Sequence, residues 1–363
     1  MPRLPNSLLS KAGSIDPLVL LILPACRDLN SAKNELRWLR EHVQGLVRIK
    51  KHTQPFIDER TSLRQLCERR RRGEPLQYIL GSEFFGDLEI QCRPGVLIPR
   101  QETAASVTRL AQILRDETRQ RSRERFKHGY VPGPLQVLDL CCGSGCMSLL
   151  LIHHLLEYGV LPPHSHVTGI DISGTAVDLA KLNRARNFPK LENPRMSFLE
   201  ADIFSDQFVK NNTHGRANSA SDSEDVGYSI LMANPPYISP AEFVRTTARS
   251  VRNFEPKLAL VPPDPSSPQV QPGDTFYPRV LEIARAIRPR CMLLEVADMD
   301  QATRVTQMVE KMGQKWFGLE IWRDDPSSGE SCGLSGTEWL IRGTGNGRSI
   351  FVHNFPTPSI SKP

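Results

Sequence analysis

The tetrad Asn234-Pro235-Pro236-Tyr237 follows an apolar run, Ile230-Leu231-Met232-Ala233. Neither proline can donate a backbone hydrogen bond, so regular structure must stop here. A planar amide, two rigid rings and an aromatic side chain then stand in a row, which suits the binding of a planar NH2 group. The nitrogen of an amide or aromatic amine is a weak nucleophile because its lone pair is delocalised. The Asn234 side-chain oxygen and the Pro235 carbonyl can accept its two N–H bonds, turning the lone pair toward an electrophile. Pro235 and Pro236 fix the turn, and Tyr237 can pack on the flat face of the reacting group. Catalysis would rest on positioning and hydrogen bonding, with no covalent intermediate. The plainer alternative is a strand that ends in prolines and has no further role.

A second constellation lies upstream. The stretch "VLDLCCGSGCMSLLL" reads as a strand, a small-residue turn and a helix. Gly143 and Gly145, flanking Ser144, allow a tight turn and the close approach of a ligand. Asp139, near the strand end, can receive a cationic or hydroxyl group. Asp171 ends the next strand, "HVTGID", where an acid commonly binds a ribose diol. Asp202, in "LEADIFS", ends a third strand and can meet an adenine amino group. Cys141 stands where a G-x-G-x-x-G turn would have its first glycine. That departure argues against a pyrophosphate and favours S-adenosylmethionine, a nucleoside cofactor without phosphates. No metal is expected, because Cys141, Cys142 and Cys146 lack a second ligand pair.

These residues need a scaffold that gathers them. From Leu135 onward strand and helix patterns alternate: "QVLDL", "CMSLLLIHHLLEYG", "HVTGID", "GTAVDLAKLNRARN", "RMSFLEAD", "SILMA", "RVLEIARAI", "CMLLEVA" and "QATRVTQMVEKMG". Such alternation predicts a mostly parallel sheet covered on both faces by helices. A parallel sheet binds ligands at the carboxyl ends of its strands. Asn234 therefore belongs on the same edge as the cofactor turn, and the electrophile facing it becomes the methyl sulfonium. The last strands, "FGLEIWRD" and "TEWLIRG", suggest an antiparallel hairpin at one sheet edge.

The N-terminal part reads as helical. Leu36, Leu39, Val43 and Leu46 recur at three- and four-residue spacings, with Ser31 as a candidate cap. The basic run Arg69–Arg72 ending at Gly73 reads as a solvated helix C-terminus more readily than as a nucleic-acid contact. "LQYILGSEFFGDLEIQCRPGVLIPRQET" carries turn glycines and β-prone pieces, predicting a small hairpin that leads into a helix from Glu102. Asp116–Pro134, Asp206–Gly227 and Pro262–Asp274 are charged, polar or proline-rich. They are expected as surface loops, the second of them disordered.

The chain has 363 residues, a formal net charge of +6 and eight scattered cysteines. The charge would suit an RNA-containing partner without establishing one, and the cysteine pattern implies reduced thiols. No apolar stretch reaches the ~20 residues of a bilayer span. The first fifteen residues carry Arg3 and Lys11 and no acid, consistent with either a short mitochondrial leader or a frayed terminus.

Taken with the cofactor half, the tetrad resembles that of the amino methyltransferases acting on DNA, ribosomal RNA or protein glutamine. Other segments resemble one branch. "RRRRGEPLQYILGSEFFGDLEI…VLIPRQET", "VRNFEPKLALVPP" and "CMLLEV" are similar to the HemK/PrmC peptide chain release factor glutamine methyltransferases. The resemblance runs from about Asn30 to Arg342. It implies a Rossmann-like class I S-adenosylmethionine-dependent methyltransferase domain, α/β in class, with an N-terminal helical domain and a connecting β-hairpin. The corresponding divisions are 1–73 for the helical substrate-binding domain, 74–101 for the hairpin linker, 102–345 for the methyltransferase domain with insert 206–228, and 346–363 for a tail.

The implied reaction is methylation of the glutamine N5 in the Gly-Gly-Gln motif of a translation release factor. A nucleic-acid amino methyltransferase (adenine-N6 or guanine-N2) is the alternative. By the same resemblance Cys141, Cys142, Gly143, Ser144 and Gly145 contact the cofactor, Asp171 binds its ribose and Ile203 packs near adenine. Asn234 contacts both cofactor and glutamine, while Pro235, Pro236 and Tyr237 complete the clamp. The chief departure is Cys141-Cys142 where the family has a glycine and a small residue, and a cysteine restricts the backbone more than glycine does. A release-factor protein partner, a monomeric state and no membrane or stable nucleic-acid partner are expected. The inserts resemble eukaryotic elaboration, which points to the mitochondrial matrix before the cytoplasm.

Overall fold

The computed structural model describes residues 3–50, 59–125, 133–190, 195–208, 228–265, 267–329, 332–333 and 339–355. Two compact units emerge, one within Met1–Glu83, Cys92–Pro94 and Thr247–Glu255, the other within Phe84–Gln91, Gly95–Thr246 and Pro256–Pro363.

The first unit is helical: α1 (Asn6–Ile15), α2 (Pro17–Cys26), α3 (Leu29–Lys50), α4 (Glu59–Arg71) and α5 (Leu76–Leu80). Asp16 caps α2 by accepting from the Leu18 N–H at 2.7 Å, and Pro17 sits in the first turn, where no amide hydrogen is needed. Val19, Ile22 and Leu23 of α2 join Leu36 and Leu39 of α3 and Cys67 of α4 in one core. Val43 is buried as its spacing predicts, whereas Leu46 is exposed. The basic run is tied down by acids. Arg69 bonds Glu74 through two nitrogens, Arg70 bonds Glu35, and Arg71 bonds Glu68.

A hairpin of β1 (Ser82–Phe85) and β2 (Leu88–Gln91) precedes α6 (Gln101–Arg125). In the second unit β3 (Gln136–Leu140), α7 (Cys146–Glu157), β4 (His166–Asp171), α8 (Gly174–Asn187), β5 (Arg195–Glu200) and β6 (Ile230–Ala233) alternate as the sequence predicts. After β6 come the short helices α9 (Pro240–Arg245) and α10 (Arg249–Phe254), α10 falling within the first unit. Next are α11 (Phe276–Ile287), β7 (Cys291–Glu295), α12 (Met299–Glu310), β8 (Gly318–Asp325), β9 (Cys332–Gly333), β10 (Leu340–Arg342) and β11 (Thr344–His353).

The sheet has nine strands in the order β5-β4-β3-β6-β7-β11-β8-β10-β9. The pairs from β5 to β7 are parallel. Alternate residues enter opposite cores, as a pleated strand requires. Val137, Ile230 and Leu293 pack with α6, α7 and α8 residues, and Leu138, Leu231 and Met292 pack with α11 and α12 residues. The chain winds outward from β3 through β4 to β5, then returns to place β6 on the other side of β3. The β3–β6 pair is therefore the switch point, where a doubly wound sheet opens a crevice for ligands.

Three sequence expectations change here. Asp116–Arg125, expected as loop, continues α6 as helix. The stretch after Gly345, expected as a tail, is most of β11, which lies between β7 and β8 and runs antiparallel to both. The expected edge hairpin is accordingly replaced, since β10 pairs with β8 in parallel. Thr344–Arg348 disguised the strand, because its glycines mimic a loop while Ser349–His353 alone has strand character. Gly345 takes φ +97° against Asp324, and the register shifts between Thr344 and Ser349. The expected disordered insert, 206–228, lies outside the described residues apart from 206–208 and 228.

Candidate active site

The site is set by register. Leu140 of β3 stands opposite Ala233 of β6, so Cys141 and Asn234 are the next residues on neighbouring strands. Beyond them lies a cavity of about 850 Å³, lined by Cys141–Ser144, Asp171, Asp202, Ile203, Asn234 and Pro236 among others. Its wall also includes Val96–Arg100 and Thr103 from the "VLIPRQET" segment, and Pro256–Ala259 from the "FEPKLAL" segment.

The turn after β3 is held by backbone bonds, the Cys142 N–H to the Ile170 carbonyl at 2.9 Å and the Gly145 N–H to the Cys142 carbonyl at 2.8 Å. Cys141 has φ +58°, a left-handed conformation that disfavours a side chain. The cysteine thus occupies a position where glycine would be unstrained. A Cβ on Gly143 would meet nothing within 4 Å, so this face of the turn is open. At Gly145 added atoms would crowd Ala180 and Phe198, so that glycine serves the packing of the turn on α8 and β5.

Asp171 organises the turn from the neighbouring strand. Its Oδ2 accepts the Gly143 N–H at 2.8 Å and its Oδ1 accepts the Ser173 N–H at 2.9 Å. Burial raises its pKa, while these two bonds oppose the shift. Asp139 is placed otherwise than expected. It is fully buried, it is not a lining residue, and its Oδ2 accepts the Ser148 hydroxyl at 2.6 Å. Its Oδ1 has no partner, and burial pushes its pKa up to about 7. Asp139 sits beneath the turn and does not face the cavity. Asp202 is exposed at the rim, where its Oδ1 accepts the Phe204 N–H, and Ile203 is buried in the wall.

In the tetrad, Asn234 and Pro236 line the cavity, whereas Pro235 and Tyr237 do not. The Tyr237 hydroxyl donates to Glu295 Oε1 at 3.1 Å, and the Thr103 hydroxyl donates to Glu295 Oε2 at 2.6 Å. Gln301 Nε2 donates to the Tyr237 carbonyl at 3.2 Å, to the Gly273 carbonyl at 3.0 Å and to Asp274 Oδ1 at 2.9 Å. Arg304 closes on Asp274, and the Tyr277 hydroxyl donates to the Glu295 carbonyl at 2.9 Å. The backbone and the ring of Tyr237 are therefore anchored from several sides.

The N-terminal helical region matches the PrmC N-terminal domain family over residues 25–81, and residues 134–213 match a methyltransferase domain family. The chain is 35% identical over 261 residues to the mitochondrial MRF1 N(5)-glutamine methyltransferase MTQ1 of Saccharomyces cerevisiae, covering 72% of this chain and 68% of that protein. It belongs to the release factor N5-glutamine methyltransferase family. The Schizosaccharomyces pombe relative mtq1 is 36% identical over 68% of this chain and 69% of its own length. The release factor glutamine methyltransferase of Chlorobaculum tepidum is 32% identical over 61% and 66%. The protein is thus an S-adenosylmethionine-dependent glutamine methyltransferase with a class I fold, and the nucleic-acid alternative is not favoured.

The cavity of this methyltransferase fits the cofactor in its chemistry. It offers an anionic side chain at the end of the second strand, an open glycine turn and an apolar wall at Ile203. The residues that sequence reading missed are Glu295, Thr103, Gln301 and Asp274. Glu295 lies within the quoted motif "CMLLEVA" and Thr103 ends "LIPRQET", but nothing in their spacing shows that they meet across 192 positions. Asp274 was hidden at the end of an expected loop and is fully buried. Asn183, also missed and fully buried, donates to the Ser144 carbonyl and accepts the Gln91 N–H, stitching the turn to the hairpin.

Proposed function

We propose that this methyltransferase modifies the side-chain amide (N5) of the glutamine in the Gly-Gly-Gln motif of a translation release factor in the mitochondrial matrix. The observation that supports this reading is the β3–β6 register, which sets Asn234 beside the turn that begins at Cys141, both lining one cavity. Bound S-adenosylmethionine supplies an electrophilic methyl group on its sulfonium. Asp171 accepts from the ribose hydroxyls, Ile203 packs on the adenine and the Cys141–Gly145 turn accommodates the rest. The Asn234 side-chain oxygen and the Pro235 carbonyl accept the two N–H bonds of the glutamine amide. That pair fixes the amide plane and rotates its lone pair toward the methyl group, so that catalysis is orientation and hydrogen bonding. Pro236 and Tyr237 complete the clamp, with Tyr237 held from behind by Glu295 and Gln301.

The named activity of the Saccharomyces cerevisiae relative supports both the substrate class and the compartment. Among the described residues no helix is long and apolar enough to cross a membrane. We further propose that the enzyme acts as a monomer, without a metal in this cavity. Incubation with labelled S-adenosylmethionine and either a mitochondrial release factor or ribosomal RNA tests the reading. Label in the protein and not in the RNA is expected, and the reverse would refute it.

A further inference from the structure

A second cluster of chemistry-bearing side chains lies away from the cofactor cavity, near the C-terminal end of α7. His153, His154 and Glu157 of that helix converge with Asp87 from the turn of the β1–β2 hairpin. One ligating atom from each lies within 4.8 Å of every other. The His153 Nε2 and His154 Nδ1 atoms stand 3.5 and 3.7 Å from the same Glu157 oxygen, Oε2. Two donors bound to one tetrahedral ion about 2.0 Å away stand about 3.3 Å apart. Each imidazole nitrogen therefore stands from Glu157 at nearly the spacing such an ion requires.

Three further features favour an ion over a plain ion pair. The His153 Nε2 atom is buried and has no hydrogen-bond partner, an arrangement that is costly unless something fills it. His154 is also buried, and its Nε2 lies 3.0 Å from the Thr108 hydroxyl. With Nε2–H donating to that hydroxyl, Nδ1 is left as the free lone pair facing Glu157, the outer-shell pattern typical of a metal-ligating imidazole. Finally, the last carbonyls of a helix carry negative partial charge, so a cation is favoured at this end.

We propose that Asp87, His153, His154 and Glu157 form a binding site for a divalent transition metal of the zinc class. Two imidazoles with carboxylate oxygens suit zinc better than magnesium or calcium, which take oxygen ligands. The site joins the hairpin turn to α7 and takes no part in methyl transfer. It departs from the sequence expectation of no metal, which weighed only the cysteines near the cofactor turn. In the sequence, His153 and His154 read as part of an apolar helix, and Asp87 lies 66 residues before His153.

The test uses the full chain, free of affinity tag and stripped of metal by chelator. Zinc chloride alone is titrated by calorimetry, and cobalt(II) is added for visible spectroscopy. The site predicts one equivalent of zinc and intense tetrahedral cobalt bands without thiolate charge-transfer bands. Both His153→Ala and Glu157→Gln should weaken zinc binding at least ~10-fold. Glu157 is exposed, so its variant tests the site even if His153→Ala folds poorly. No saturable binding, unchanged affinity in Glu157→Gln, or thiolate bands would overturn the proposal.

Discussion

The Tyr237 hydroxyl is hydrogen-bonded to Glu295, 58 residues further along the chain and at the end of the next strand of the sheet. The same carboxylate takes the Thr103 hydroxyl from α6. Glu295 is fully enclosed, and burial raises its pKa against these bonds. One buried acid thus ties together the tetrad, the helix after the hairpin and the strand β7.

Removing either donor leaves a buried acceptor without its partner. Tyr237→Phe should cost roughly 1–3 kcal/mol of stability. It should also lower kcat more than it raises the cofactor Kd, because Tyr237 is not a cavity-lining residue. Urea unfolding and cofactor titration check both parts. A kcat that stays unchanged would separate the tyrosine from the clamp.

Gly273 offers a second route to the same element. A Cβ there would stand 2.8 Å from the Tyr237 carbonyl and 3.2 Å from Gln301 Nε2. Gly273→Ala must displace backbone, so it should cost about 1–3 kcal/mol and reduce kcat while cofactor affinity stays within a few-fold. Thermal melting and steady-state kinetics measure this.

Cys141 tests the turn. Its φ of +58° favours glycine, so Cys141→Gly should relieve strain of ~1 kcal/mol, offset in part by greater freedom of the unfolded chain. Near-neutral stability and retained activity are expected. Cys141→Val places a β-branched side chain in the same conformation and should weaken both cofactor binding and stability. Calorimetric cofactor titration of the two variants, side by side, distinguishes the cases.

Asp139 predicts a pH dependence. Its pKa is raised to about 7 in the folded protein, against about 4 in an unfolded chain. The folded state therefore holds the proton more tightly. Its contribution to stability is fully present below pH ~4 and is lost as pH rises to ~7. Asp139→Asn removes that dependence. The stability of the variant relative to the parent should rise across this window, by an amount on the order of a few kcal/mol. Denaturant unfolding at several pH values measures the difference.

The parallel sheet, the glycine turn after β3 and the proline-terminated end of β6 were legible because each is a local pattern. Apolar runs, small residues and prolines announce them within a dozen positions. What escaped depends on contacts far apart in sequence. Glu295 reads as the polar end of a strand, and its role follows only from Thr103 and Tyr237 meeting it. The strand β11 was hidden because its first half follows a bulge built on glycines, which has the composition of a loop. Asp139 misled in the opposite direction. A strand-end acid suggests a ligand contact, but its side chain enters the core and takes Ser148.

The central claim is that Asn234 orients a glutamine amide for methyl transfer. The direct measurement is tandem mass spectrometry of a mitochondrial release factor after incubation with the enzyme and S-adenosylmethionine, comparing the parent with Asn234→Ala at equal cofactor occupancy. The account predicts one added methyl group on the side chain of the Gly-Gly-Gln glutamine, and a rate about 10²–10³-fold lower in the variant. A methyl group found elsewhere, or an undiminished rate in Asn234→Ala, would contradict it.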